Sequence, residues 1–126
     1  MSRSPHSFNV SRARDGQFQP GLRNFFEYRK LGIEEATNGA FGAHIIRATR
    51  RCEDGTGKHT HGVDFQMVYV IKGKCLMWYE GQGEVELEAG DCVHQPPGIA
   101  HELRRCSEDC EALEITMPGV FSTDPV

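Results

Sequence analysis

The sequence predicts an all-β fold, a barrel or sandwich of antiparallel strands. Three observations carry this. Clusters of turn-forming residues recur at short intervals from residue 24 onward. The segments between them are five to eight residues long. Several of those segments alternate apolar with polar side chains, the signature of a strand with two unlike faces.

Residues 1–23 are polar and broken by Pro5, Gly16, Pro20 and Gly21, which predicts an extended N-terminal arm. Residues 24–126 then form one domain, the number that a 126-residue chain suggests. Phe25, Phe26 and Tyr28 mark a first strand. Residues 33–38 are the only stretch with the makings of a helical turn, and Gly39 stops it. Residues 41–49 read as a strand with His44, Ile46 and Ala48 on one face and Ala43, Ile45 and Arg47 on the other.

Glu53-Asp54-Gly55-Thr56-Gly57 is a turn. The apolar run 65–71 is a strong strand, ended by Lys72-Gly73. It places Gln66, Val68 and Val70 on one face, and Phe65, Met67, Tyr69 and Ile71 on the other, where they suit a dimer contact. Residues 75–79 follow, closed by Gly81-Gln82-Gly83. Trp78 and Tyr79 point to opposite faces, so one of them borders the interior. Residues 84–88 alternate acidic with apolar, as a strand with one wet face does. Ala89-Gly90-Asp91 leads into 92–95, Pro96-Pro97-Gly98 breaks the chain, and 101–105 and 112–117 complete the set.

Composition narrows the function classes. Hydrophobic residues make up 38% and charged residues 25%, the usage of a folded globular protein. The longest apolar runs are five residues, too short to span a membrane. The first sixteen residues lack the hydrophobic core of an export signal, so a cytoplasmic protein is expected. Residues 1–30 carry a charge of +4 and the remainder −8. The folded part is therefore acidic, the reverse of a nucleic-acid footprint, and no nucleic-acid partner is expected.

Five cysteines without an export signal read as reduced thiols. Cys75 and Cys92 fall in strands and are expected to be buried. Cys106 and Cys110, four apart across a polar loop, lack the spacing of a redox pair.

The chemistry centres on histidine. His59 and His61 are separated by one residue, so on a strand they share a face with α-carbons about 6–7 Å apart and can share one cation. Two polar residues at a strand's wet edge would look the same. A third imidazole, His101, follows the rigid turn Pro96-Pro97-Gly98, and metal sites need such fixed placement.

Two motifs now resemble the signatures of the cupin superfamily. The first is His59-Thr60-His61, four residues to Gln66, then six to Gly73. The second is Gly90, five residues, Pro96-Pro97-Gly98, then Ile99-Ala100-His101. The resemblance covers residues 40–117 and implies a double-stranded β-helix, or jelly-roll barrel. It also implies a divalent metal inside the barrel, held by His59, His61, His101 and the residue at the motif's glutamate position. That residue is Gln66 here. Two lesser departures are Glu53 at the opening glycine and Arg105 at the closing asparagine.

Glutamine leaves the metal its full double charge, which makes it a stronger Lewis acid. It also favours zinc, nickel or iron over manganese. Alternatively Gln66 stands behind the ligands with water in its place at the metal, and Asp64 is the nearest carboxylate that could substitute for it.

A three-His plus Gln set is similar to that of small cupins that open unsaturated uronate rings, and to three-His iron cupins that cleave thiols or diketones with oxygen. The expected function is therefore a metal-dependent enzyme on a small polar molecule, either a dioxygenase or a sugar-acid isomerase or lyase. A non-catalytic metal-binding or sensor cupin is the alternative. A polar pocket would favour sugar-acid chemistry and an apolar one oxygen chemistry.

His44 reads as a core or rim residue, and His94 as buried or lying behind the ligands. Any proton carrier lies among His94, Tyr69 and Glu102, and none stands out. A homodimer is expected, its arm adding a strand to the partner barrel.

Overall fold

The computed structural model describes residues 6–21 and 23–126 and shows two antiparallel sheets facing each other as a jelly roll. Met1 to Pro5 of the expected arm, and its Leu22, lie outside the described residues. In chain order the elements are β1 (Gln19–Pro20), β2 (Phe26–Lys30), the single-turn helix α1 (Ile33–Ala36), β3 (Gly42–Ala48), β4 (His59–His61), β5 (Phe65–Lys72) and β6 (Lys74–Tyr79). They continue with β7 (Gly83–Glu88), β8 (Cys92–His94), β9 (His101–Cys106), β10 (Glu111–Met117) and β11 (Thr123–Pro125). One sheet runs β1-β2-β3-β10-β5-β8, the other β11-β4-β9-β6-β7.

Local chemistry sets the boundaries. Asn38 and Gly39 both adopt positive φ, 52° and 85°, and end α1 where the sequence places its stop. Gly73 alone joins β5 to β6 and carries the chain from one sheet to the other at φ 72°. A Cβ there would lie 2.5 Å from Ser107 Oγ and 2.9 Å from Cys110 Cα, so only glycine fits.

The apolar core gathers at one end of the barrel, where Cys75 on β6 faces Cys106 on β9. Val70, Leu87, Leu103, Cys52 and Cys110 pack around this pair. At the far end of the same two strands Tyr79 faces His101. The core thus plugs one end and leaves the other for a cavity.

Three strands go beyond the sequence reading. The arm's β1 pairs with β2 of its own chain, Gln19 opposite Tyr28. Arg29 donates to Ser11 Oγ at 3.0 Å, Asn9 Nδ2 to the Leu31 carbonyl at 2.9 Å, and the Arg47 guanidinium lies 3.7 Å from the Phe18 ring centroid. The described arm therefore lies on its own barrel. Strands β4 and β11 pair with each other at the metal end, Thr123 opposite His61.

Two expectations need correction. Cys92 and His94 are exposed, because β8 is an edge strand with only β5 beside it, and His94 stacks on Phe65 at 5.6 Å. Of the Trp78–Tyr79 pair one does border the interior, as alternation predicts: Tyr79 is buried, while Trp78 lies under the Lys58 ammonium at 3.9 Å. Among the described residues no helix is long and apolar enough to cross a membrane.

Candidate metal centre

Strand register assembles the histidines. His59 on β4 stands directly opposite His101 on β9, and His61 returns to the same face two residues later. One ring nitrogen from each of the three lies within 4.8 Å of the others. Ring centroids are 4.5 Å apart for His59 and His101, and 4.9 Å for each pair with His61.

Each ring is oriented from behind. His59 Nδ1 lies 2.8 Å from the Gly57 carbonyl and His101 Nδ1 3.0 Å from the Ile99 carbonyl. A carbonyl can only accept, so both Nδ1 atoms carry the proton and both Nε2 atoms present a lone pair. His61 Nδ1 meets Thr123 Oγ1 at 3.0 Å, which gives β11 its place in the site. Tyr79 lies nearly parallel to His101, ring centroids 6.0 Å apart, while donating its hydroxyl to Gln95 Oε1 at 2.6 Å. Phe121 packs edge-on against His61.

The triad's electrostatics suit a cation. Burial pushes the His101 pKa down to about 4, with His59 and His61 adding to the effect against the opposing Ile99 carbonyl. Burial also lowers His61, with His59 assisting. Neutral imidazoles are the form that binds metal, so burial favours the metal-binding form of His61 and His101, and a set of three converging imidazoles fits a divalent transition metal.

Gln66, on β5 of the opposite sheet, is 2% exposed. Its Nε2 donates to Glu114 Oε2 at 2.7 Å. Its amide nitrogen is thereby committed, and Gln66 stands behind Glu114, outside the lining of the cavity that holds the three histidines. Asp64 is exposed and outside the histidine cluster.

Glu114 is the residue the sequence reading missed. It sits on β10 opposite His44 of β3, with Oε1 2.7 Å from His44 Nε2. That approach is off the N–H axis, so it is a close polar contact rather than an aligned hydrogen bond. Burial alone would raise the Glu114 pKa. The His44 contact and the Gln66 amide outweigh burial and hold the carboxyl below its usual range. One signal was available in the sequence: within 112–117, Glu114 shares a face with Ala112 and Thr116 and opposes Leu113 and Ile115. The apolar set looks like the core face, yet Ala112 and Thr116 are the buried residues.

Of the other expected proton carriers, Tyr69 is exposed and Glu102 pairs with Arg104 at 2.9 Å. Tyr69, Glu102 and the exposed His94 all lie outside the cavity lining.

The histidines and the Glu114–His44 pair line one cavity of about 680 Å³. Phe26, Ile46, Val68, Met77, Leu87 and Leu103 form much of its wall. Its size falls inside the range of organic-ligand pockets.

The comparisons agree with this architecture. Residues 53–116 match the family model described as "Cupin domain". A curated relative, quercetin 2,3-dioxygenase of Bacillus subtilis (strain 168), is 27% identical over 94 residues, which are 75% of this chain and 27% of that protein. This chain thus spans about a quarter of the relative's length. Among solved structures, the polyketide cyclase RemF from Streptomyces resistomycificus is similar with TM-score 0.76 and 17% identity, covering 95% of this chain and 86% of that one. KdgF from Halomonas sp. gives TM-score 0.73 and 17% identity, covering 89% and 94%. Such identities speak to fold alone, while the domain match covers half the chain: the protein belongs to the cupin family.

Proposed function

We propose that this cupin is a metal-dependent enzyme acting on a small organic molecule, with dioxygenase chemistry as the best-supported class. The observation that carries the reading is the Glu114–His44 pair lining the same cavity as the three histidines. A sensor needs a ligand site, whereas an enzyme also needs a proton carrier beside the metal. The apolar wall favours oxygen chemistry over sugar-acid chemistry, and the likeness to a quercetin 2,3-dioxygenase supports the same direction.

In this reading His59, His61 and His101 hold one divalent transition metal, while Gln66 stands behind Glu114. Iron, nickel or zinc suits this imidazole-rich set better than manganese. When bound, the metal supplies Lewis acidity toward a substrate oxygen. Glu114, which accepts the Gln66 amide, takes up a proton from the substrate together with His44. The apolar walls displace water from the bound substrate.

The test is elemental analysis after separate loading with iron, nickel, zinc and manganese, beside the double variant His59→Ala/His101→Ala. Wild type is expected to hold about one transition metal per chain, and the variant none. Oxygen uptake by the iron form with enolic or phenolic substrates then tests the reaction class. A wild type that stays empty with every metal overturns the reading.

We also propose a homodimer through the outer face of the six-stranded sheet, in a cytoplasmic setting. Ala43, Ile45, Leu113, Ile115, Met67, Tyr69 and Ile71 all share that face by strand alternation and register. Three strands about 4.8 Å apart and about five residues long give roughly 250 Å², which suits the apolar centre of a standard interface of about 800 Å² per partner. Arg47, Glu111 and Lys72 lie in one cross-strand row at its end, a mixed-charge rim that a second copy complements.

A further inference from the structure

Charge inside the cavity is unevenly matched. Three ionic side chains line it besides the histidines: Arg23, Lys30 and Glu114. Glu114 is already engaged by His44 and Gln66. Lys30 is exposed at the end of β2. Arg23 is half-buried, and among the described residues it forms no ion pair and donates no side-chain hydrogen bond.

The neighbouring arginines are all engaged: Arg29 with Ser11, Arg47 with Glu27, Arg50 with Asn24. Arg23 differs in facing the cavity. Its field reaches two groups on separate sheets, lowering Tyr28 on β2 and His61 on β4 beneath the larger effect of burial on each. A half-buried guanidinium that lines a largely apolar cavity with no counter-charge from the protein is free to pair with an anionic ligand, and such charge-assisted contacts are the stronger ones.

We infer that the ligand of this cavity is an anion with an apolar, ring-bearing body, and that Arg23 receives its anionic group. The inference rests on the cavity being the substrate site, but not on the metal. The body lies against Phe26, Ile46, Val68 and Met77. The anionic group meets the Arg23 fork, because Glu114, the one carboxylate among the lining residues, is already held by His44 and Gln66. This replaces the small polar molecule expected from the motifs by a larger amphipathic acid. Arg23 is thus a specificity residue, and with Gly21 it becomes part of the binding wall.

The experiment compares 2-naphthoate, its neutral isostere 2-naphthamide and galacturonate by calorimetric titration, in metal-free and zinc-loaded protein. Naphthoate is expected to bind at least about tenfold more tightly than naphthamide in both forms, and galacturonate weakly. Arg23→Gln removes the naphthoate advantage without changing naphthamide, and Arg23→Lys restores part of it. Val68→Trp, which fills the cavity, weakens both naphthyl ligands, and melting curves check that each variant folds. Equal binding of naphthoate and naphthamide, an unchanged preference in Arg23→Gln, or tighter binding of galacturonate overturns the inference. A protein that takes no metal but keeps the naphthoate preference sinks the metalloenzyme reading and leaves this one standing.

Discussion

Glu114 on β10 lies directly across from His44 on β3, their side chains 2.7 Å apart, and the same carboxylate accepts the Gln66 amide from β5. Three neighbouring strands of one sheet are thereby tied together inside the barrel. Removing the carboxylate orphans the buried Gln66 amide and takes away the close contact of His44, which costs about 1–3 kcal/mol. Glu114→Ala is expected to lower the urea midpoint accordingly. An unchanged midpoint in Glu114→Ala would show that Gln66 does not depend on this contact.

The metal-free protein should lose stability on mild acidification. His101 titrates at about 4 when folded and near 6.5 when unfolded. As pH falls below about 6.5 the unfolded chain takes up protons first, so its contribution is full above that value and is lost on the way to about 4. His61 is lowered too and acts in the same direction. Glu114, also held low, keeps its contribution above the ordinary carboxylate range and loses it as pH drops through its folded value. Urea midpoints between pH 7.5 and pH 4 measure this. The zinc-loaded form should fall more steeply, because protons compete with the metal.

Thiol reactivity should separate Cys92 from the rest. Cys52, Cys75, Cys106 and Cys110 are buried, and Cys92 alone is exposed. Burial pushes the Cys106 thiol up to about 12. A thiol-reactive dye is expected to label one cysteine in the native protein and five after denaturation. Cys92→Ser should abolish the native signal; persistent labelling of that variant would show that the core opens.

The outer sheet face predicts its own disruption. Tyr69 is 40% exposed at the middle of the apolar patch. Tyr69→Glu should convert a dimer to monomer in light scattering while leaving metal content unchanged, since Tyr69 faces away from the cavity. A wild type that is already monomeric at micromolar concentration would refute the proposed interface.

Much of the architecture was legible in the linear chain. Alternation and glycine stops place β3, β5, β6, β7 and β10 to within a residue or two, because these signals are local. The His59–His61 spacing and the turn before His101 name the triad, since strand periodicity alone puts the first two on one face.

Other features arise only when strands pair. Short strands β1, β4 and β11 carry too little pattern of their own and exist through their partners. Glu114 and Arg23 acquire meaning the same way: one gains a partner across a sheet, and the other turns a charge toward a cavity that residues far apart in the chain enclose. Which face of β10 looks inward could not be read from its apolar side chains, because this barrel surrounds a cavity and turns polar groups such as Glu114 toward it. Periodicity determined that two faces exist, and only the closing of the two sheets decided which one holds the chemistry.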